Sequence, residues 1–487
     1  GPYLRFRNEL DAFLNQLQKQ SNQFIISYND PFELGSTEEV VKEMQAYGMT
    51  PEIVVENKEG KRNENLIFPW IIVNSGERSE RIPLLQKQLG DSENQKLVRS
   101  LQQLEYQIMD GIHKITLKEK QKLAVLTSHK TSEDIKLADL LQSLSPYYNL
   151  AAFDLKKEGV SAQQSLDNLN RFEALFISNP KEAFTQAEKY ILDQHALAGG
   201  KQFWLVNGLS IDRDSLFNIE GKTYGFPKEL NLDDYFFNLG IRLRKELVKD
   251  LYSAPIVLAS GSDENSQYIP YPWPYYPLSV PENTNIIGKD LGPVLTQFIS
   301  PIDTLPNALK KTILLQSSKF TKTVPVPALV NLEQVVEKIQ PSQFNEPSKI
   351  FGVLIEGEKK SLFSNRIKPL TLNKNKESGI IKLLFYGDGN LAENQTEKGQ
   401  PLSLGYDKWT NNFYSNKDLI INGIHYLTSN EERLALRKKT WKVAFLDENN
   451  VIQNASFWKV CLLLLPLLLG FGIGGINQII RSKQLKV

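Results

Sequence analysis

Few side chains in this 487-residue sequence could do covalent or metal chemistry, and their spacing narrows the field further. The single cysteine, Cys461, lies in an apolar C-terminal run, so the rest of the chain has no disulfide, thiol nucleophile or cysteine metal ligand. The four histidines, His113, His129, His195 and His425, stand far apart and in no H-E-x-x-H or H-x-H pattern. No metal site and no cofactor is expected. Asp388, in the string GDGN, follows an apolar strand pattern, at the kind of position where α/β proteins place their sites. A plain turn explains the same residues, because Asp and Gly are favoured there for backbone reasons. His129, in TSHK, also follows a strand end and reads as a loop histidine. A degenerate hydrolase would need Asp388 and one of these histidines to converge.

Binding chemistry is more visible. In Tyr268–Leu278, YIPYPWPYYPL, prolines alternate with aromatic residues. The segment must be extended, and its prolines argue against a central strand. If exposed, Tyr271, Trp273, Tyr275 and Tyr276 would stack on a glycan or grip a peptide. If buried, the same rings pack against their own domain. There is no phosphate loop, neither G-x-x-x-x-G-K-[ST] nor G-x-G-x-x-G after a strand, and no G-x-S-x-G nucleophile elbow. With 57 basic and 56 acidic residues the net charge is +1, which gives no field to attract nucleic acid.

The elements around these residues suggest a mixed α/β chain of several units. Residues 1–90 read as a small, thioredoxin-like α/β unit. It has a helix carrying Leu4, Phe6, Leu10, Phe13, Leu14 and Leu17, then a strand at FIISY (24–28). A helix capped by Ser36 and Glu39 follows, and then β stretches at 52–56 and 66–74 around a polar loop. Leu97, Leu101, Leu104, Ile108 and Ile112 stripe a connector helix within residues 91–118. Residues 119–450 alternate apolar strands (123–127, 151–155, 174–178, 203–207, and later 311–318 and 380–390) with helices. That pattern predicts a mostly parallel, doubly wound sheet. An insertion at about 208–310 and a mixed β segment at about 320–375, with an edge hairpin at 351–357, interrupt it. A helix at 419–427 and a final strand at 441–446 close it.

Residues 451–459 read as a linker and 460–480 as a transmembrane helix. Val460–Ile476 is uncharged, and a helix through Ile480 spans ~30 Å. Arg481, Lys483 and Lys486 in the 481–487 tail predict a cytoplasmic C-terminus. Gly470 and Gly474, four residues apart, would let a neighbouring helix approach closely. The chain begins Gly1-Pro2 and shows no export signal, so a preceding segment is expected.

The strings LEYQIMDGIHKIT, NLDDYFFNLGI, YPWPYYPL, FYGDGNLAENQ, LGYDKWTNNFYSNKDLIINGIHYL and PLLLGFGIGG run in order across nearly the whole chain. They resemble the gliding-motility-associated ABC transporter auxiliary proteins of Bacteroidetes-type bacteria, the GldG family, often labelled substrate-binding. The resemblance implies a glutamine-amidotransferase-like ectodomain and a place beside an ATPase subunit, which binds the ATP, and a permease subunit. It also implies a link to gliding and surface-protein secretion, and it transfers no catalytic motif. The expected setting is the bacterial inner membrane, with the large domain periplasmic and a homodimer within the complex left open. Family members usually carry a hydrophobic N-terminal anchor, which this sequence lacks. The competing reading is a cell-envelope glycan- or peptide-binding protein working through residues 268–278.

Overall fold

The computed structural model describes residues 2–58, 61–86, 89, 91–211, 213–260, 267–428 and 454–464, together with 466, 468, 470 and 472. The chain divides into two units, Gly1–Thr440 and Trp441–Val487.

The first unit opens with helices α1 (Pro2–Gln20) and α2 (Thr37–Ala46). Four strands follow: β1 (Glu52–Lys58), β2 (Lys61–Ile67), β3 (Trp70–Ser75) and β4 (Arg78–Pro83). Helix α3 (Glu93–Thr116) completes this part. Ser36 and Glu39 form the expected capping box, satisfying amides that the first turn of α2 would leave orphaned. Phe6, Leu10, Phe13 and Leu14 bury one stripe of α1, while Leu4 is exposed. The stripe of α3 is as expected through Ile108, but Ile115, rather than Ile112, is the buried residue of its last turn.

The thioredoxin-like expectation fails here. Phe24–Tyr28 forms no strand: no strand pairs with it among the described residues, it touches α1 through Gln18 and Asp11, and Ile25 is 94% exposed. The four strands instead make two separate antiparallel hairpins, β1–β2 and β3–β4. The polar loop predicted between two strands is itself the paired arm of the first hairpin.

The α/β domain then runs through β5 (Gln121–Leu126), α4 (Asp134–Leu144), β6 (Tyr148–Phe153), α5 (Ala162–Leu169), β7 (Ala174–Ser178), α6 (Gln186–Leu197) and β8 (Lys201–Leu205). Next come β9 (Leu209–Ser210), β10 (Lys222–Pro227), α7 (Asp233–Asn238), β11 (Ile241–Leu243), β12 (Glu246–Asp250), β13 (Ser253–Ser260), β14 (Gln267–Ser279) and β15 (Val294–Leu295). They are followed by β16 (Ile302–Thr304), β17 (Lys310–Gln316), β18 (Thr321–Pro325), β19 (Ala328–Asn331), β20 (Ile350–Lys360), β21 (Ser378–Tyr386) and α8 (Asn416–Leu427).

The main sheet has nine strands in the order β11-β16-β20-β21-β8-β7-β5-β6, with β17 also on β20. Strands β6, β5, β7, β8 and β21 are mutually parallel. From β5 the chain winds first to β6 and then back past β5 to β7, so the sheet is doubly wound. Successive residues alternate between two cores: Ala124, Leu126, Leu175 and Trp204 face α5, α6 and α7, whereas Leu123, Val125, Phe176 and Phe203 face α4 and α8. Strand β20 sits between β17 and β21 and pairs antiparallel with both. The 351–357 segment is therefore interior to the sheet rather than an edge hairpin. The 311–318 stretch belongs to its antiparallel extension.

The insertion is real but porous. Strands β9, β10, β12, β13, β14 and β15 form small separate sheets, and β18 and β19 return to pair with β12 and β10. Strands β11 and β16 join the main sheet.

In the second unit, Ala455–Leu464 is helical, and Leu462, Leu463 and Leu468 are exposed. Among the described residues, no helix is long and apolar enough to cross a membrane. Most of the expected 460–480 span, including Gly474, lies outside the described residues, as does the strand expected at 441–446.

Candidate functional site

In a doubly wound sheet, the crevice outside the carboxyl ends of the parallel strands is where ligands are usually met. Here that edge carries the turns after β5, β7, β8 and β21. His129, Lys130 and Asn179 adopt left-handed backbone there, with φ of 64°, 49° and 50°. Gly387 and Gly389 allow close approach: a Cβ at Gly387 would meet the Ser300 carbonyl oxygen at 2.0 Å, and one at Gly389 would meet Asn179 Oδ1 at 2.7 Å.

Glu393 is the hub of the edge. Its Oε1 accepts hydrogen bonds from Ser132 Oγ at 2.8 Å and Asn179 Nδ2 at 3.3 Å, and its Oε2 lies 3.3 Å from an Arg213 guanidinium nitrogen. Ser132 Oγ also sits 3.0 Å from Ser178 Oγ. Burial works to raise the Glu393 carboxyl, but the Arg213 charge and the hydrogen bonds from Asn390 and Ser132 outweigh it and hold it below the usual range.

Asp388 is 1% exposed. Its Oδ1 accepts the Asn390 amide at 2.8 Å, closing the expected turn, and its Oδ2 accepts the Gln297 amide at 2.8 Å, reaching across to the insertion. Burial pushes its carboxyl up to about 6 against those two amides. Half-buried Lys228 approaches Asn179 Oδ1 at 3.1 Å and the Pro180 carbonyl at 3.3 Å. Burial, aided by the Lys181 charge, lowers this ammonium to about 8.

The nearby row of Ser128, His129 and Glu188 is also buried. Ser128 Oγ lies 2.9 Å from His129 Nδ1, and His129 Nε2 lies 3.3 Å from Glu188 Oε2. Burial opposes ionisation of Glu188, but the His129 contact and the Thr185 amide and hydroxyl draw it down to about 2. A hydroxyl, an imidazole and a carboxylate in sequence are the parts of an activated nucleophile. Here Ser128 Oγ also accepts the Leu155 amide at 3.3 Å, and the imidazole stacks on Phe184 at 3.8 Å. The row fastens the β5 turn to α6.

The structure does not join Asp388 to a histidine among the described residues. His129 turns toward Glu188. His425 lies at the opposite, amino edge of the sheet, 2.7 Å from the hydroxyl of Tyr148 at the start of β6. The described residues contain no group of His, Cys, Asp and Glu arranged to hold a metal.

The aromatic segment is placed differently from a ligand-gripping loop. It is strand β14, antiparallel to β13, and its Trp273 and Tyr275 are 1% and 2% exposed. They pack with Leu247, Ile256, Phe298 and Val330, and Tyr271 and Tyr276 lean on the same cluster. Of the two alternatives for the rings, packing against their own domain is the one found, and the expectation against a central strand is corrected. The four rings are core of the insertion rather than an open stacking surface. The strand also lies in the middle of a three-stranded sheet, β13-β14-β15. It tolerates its prolines because Pro270 and Pro272, two residues apart, turn their missing N–H groups to one edge, the pairing with β13 is interrupted between Pro272 and Pro277, and β15 meets the strand only at Leu278 and Ser279.

Sequence reasoning singled out Asp388 and His129 but not Glu393, Ser132, Asn179, Arg213 or Lys228. Those come from five separated segments and share no motif. The available signal was position alone, and it reached only Asn179, the polar residue directly after the apolar strand β7.

The model of the family described as an ABC-type uncharacterized transport system matches residues 120–423. A domain of unknown function (DUF7088) matches residues 1–74. No curated protein matches the chain. Among solved structures, the chain is similar to the mmIFT52 N-terminal domain at 14% identity and a TM-score of 0.35, covering 67% of this chain and 100% of that one.

Proposed function

Because the chain belongs to the ABC-type uncharacterized transport system family, as an auxiliary member, we propose that it is a non-catalytic, membrane-anchored extracytoplasmic subunit of an ABC transporter. Separate ATPase and permease chains supply ATP binding and the pore, and the complex serves gliding and surface-protein secretion. The observation that carries this reading is the family match over residues 120–423, the segment that holds the whole parallel sheet. The carboxylates of Glu393 and Asp388 at its carboxyl edge are spent on neighbouring side chains and backbone amides, which supports a structural edge over a reacting one.

Membrane anchoring rests on the sequence of Val460–Ile480 and the basic tail beyond it. Leu462, Leu463 and Leu468, apolar and exposed, favour lipid as their surroundings. In this arrangement the large domain is periplasmic and the C-terminus cytoplasmic. Gly470, with nothing within 4 Å of a Cβ built on it, would offer its bare face to a permease helix.

Two measurements test the reading. The chain, affinity-purified from its native membranes, should bring down one ATPase and one permease chain; its recovery alone would sink the proposal. A tag on the C-terminus should be protected from protease in intact spheroplasts and digested after lysis. Replacing Gly470 and Gly474 together by leucine should loosen the permease without unfolding the large domain.

A further inference from the structure

An open groove of about 700 Å³ lies where α7, the turn between β16 and β17, and the connection between β20 and β21 meet. None of its lining residues belongs to the carboxyl-edge cluster. We propose that this groove binds a neutral saccharide.

Three observations converge. First, the Phe237 ring lines the groove and is 63% exposed, although it sits on a helix whose neighbours Tyr235 and Phe236 are buried. An exposed ring on a packed helix offers a flat apolar face to the C–H face of a sugar. Second, the rest of the lining is rich in planar, multiply hydrogen-bonding side chains, among them Asn238, Asn307, Asn365 and Arg366. The Asn238 side-chain oxygen is buried and has no donor among the described residues. Such an orphaned acceptor costs stability unless a ligand hydroxyl or amide satisfies it.

Third, the charges are already neutralised. Lys189 at 2.7 Å and Arg366 at 2.8 Å share Asp234, and Lys245 lies 2.8 Å from Glu229 and 3.6 Å from the rim carboxylate Asp233, so three cations face three carboxylates. Ion pairs complete in themselves leave little for an anionic or cationic ligand, but their spare lone pairs and N–H groups serve hydroxyls. The volume suits a small ligand. A peptide would need a long free strand edge beside the apolar wall that Leu305, Pro306 and Leu362 provide. The adjoining edge strand, β11, is three residues long.

The inference does not rest on the transporter reading, because it concerns a ligand of the large domain wherever that domain is held. The purified 487-residue chain is titrated with cellobiose, maltotriose and N,N′-diacetylchitobiose, and with a capped neutral peptide, by saturation-transfer NMR and calorimetry. At least one saccharide should bind. Phe237→Ala should weaken it about tenfold with the melting temperature unchanged. Asn238→Ala should weaken the same saccharide while leaving the empty protein as stable or more so, which a purely structural asparagine would not do. Asn365→Ala, at an exposed position, provides a second binding readout should Phe237→Ala misfold. The proposal is overturned if no saccharide saturates, if saccharide binding survives the Phe237 and Asn365 substitutions, or if the peptide alone binds.

Discussion

The ammonium of Lys359 on β20 is paired with the carboxylate of Asp193 on α6 inside the core, with side-chain exposures of 2% and 0%. Ser361 Oγ donates to the same carboxylate at 2.6 Å and the Leu362 amide at 3.3 Å, so the anion is well satisfied. Burial lowers the ammonium even against its partner. Removing one partner strands the other's charge in an apolar interior. Lys359→Met alone or Asp193→Leu alone should each cost about 3–5 kcal/mol, and the double substitution less than the sum. Urea melts of the four proteins check this, and additive losses would mean the pair is not coupled.

Glu393 ties the β5 turn, the β7 turn and the insertion to the loop after β21. Glu393→Gln can keep one oxygen on Ser132 and Asn179, which both donate to Oε1, but it then turns an NH2 toward Arg213 and removes that residue's counter-charge. A loss of about 2–3 kcal/mol is expected, against about 1 kcal/mol for Ser132→Ala. Hydrogen exchange should show the loosening concentrated at the carboxyl edge of the sheet rather than spread over it.

Asp388 gives the stability a pH dependence of known sign. Its carboxyl rises from the ordinary 3.8 to about 6 on folding, so the folded protein holds the proton more tightly than the unfolded chain. The resulting stabilisation is complete below the unfolded value and is lost as pH rises through about 6. Relative to Asp388→Asn, which does not titrate, the wild-type chain should lose on the order of 3 kcal/mol across that window. A difference that stays flat, or that grows with pH, would contradict the burial argument.

The β14 rings should behave as core. Trp273→Ala should destabilise by about 3–5 kcal/mol, whereas Tyr268→Ala, at an exposed position, should fall within about 0.5 kcal/mol of wild type. Thermal melts of the two variants decide it. The reverse ranking would return the segment to the surface.

Much of the sheet was legible because burial on both faces writes itself as an unbroken apolar run: Ala174–Ser178 and Phe203–Leu205 could hardly be anything else. Legibility failed where one partner was polar or absent. Lys61–Ile67 is a strand only because Glu52–Lys58 lies against it, and Phe24–Tyr28 is none because no strand pairs with it among the described residues. The β14 segment was recognised as extended, but whether its rings face in or out depends on Leu247 and Val330, which local sequence cannot bring alongside. The site was legible at Asp388, where a turn signal and a strand end coincide. It was illegible at Glu393, whose role exists only after Ser132, Asn179 and Arg213 arrive from elsewhere.

The order of strands in the main sheet sets a timetable for synthesis. Strand β8 finds β7 at once, but its other neighbour, β21, is not made until the ribosome has passed Tyr386. During that interval the Gln202–Leu205 backbone is an open flank of an apolar sheet, the kind of surface that recruits other nascent chains. A ribosome stalled inside the insertion would therefore release a sticky half-sheet instead of a smaller stable domain.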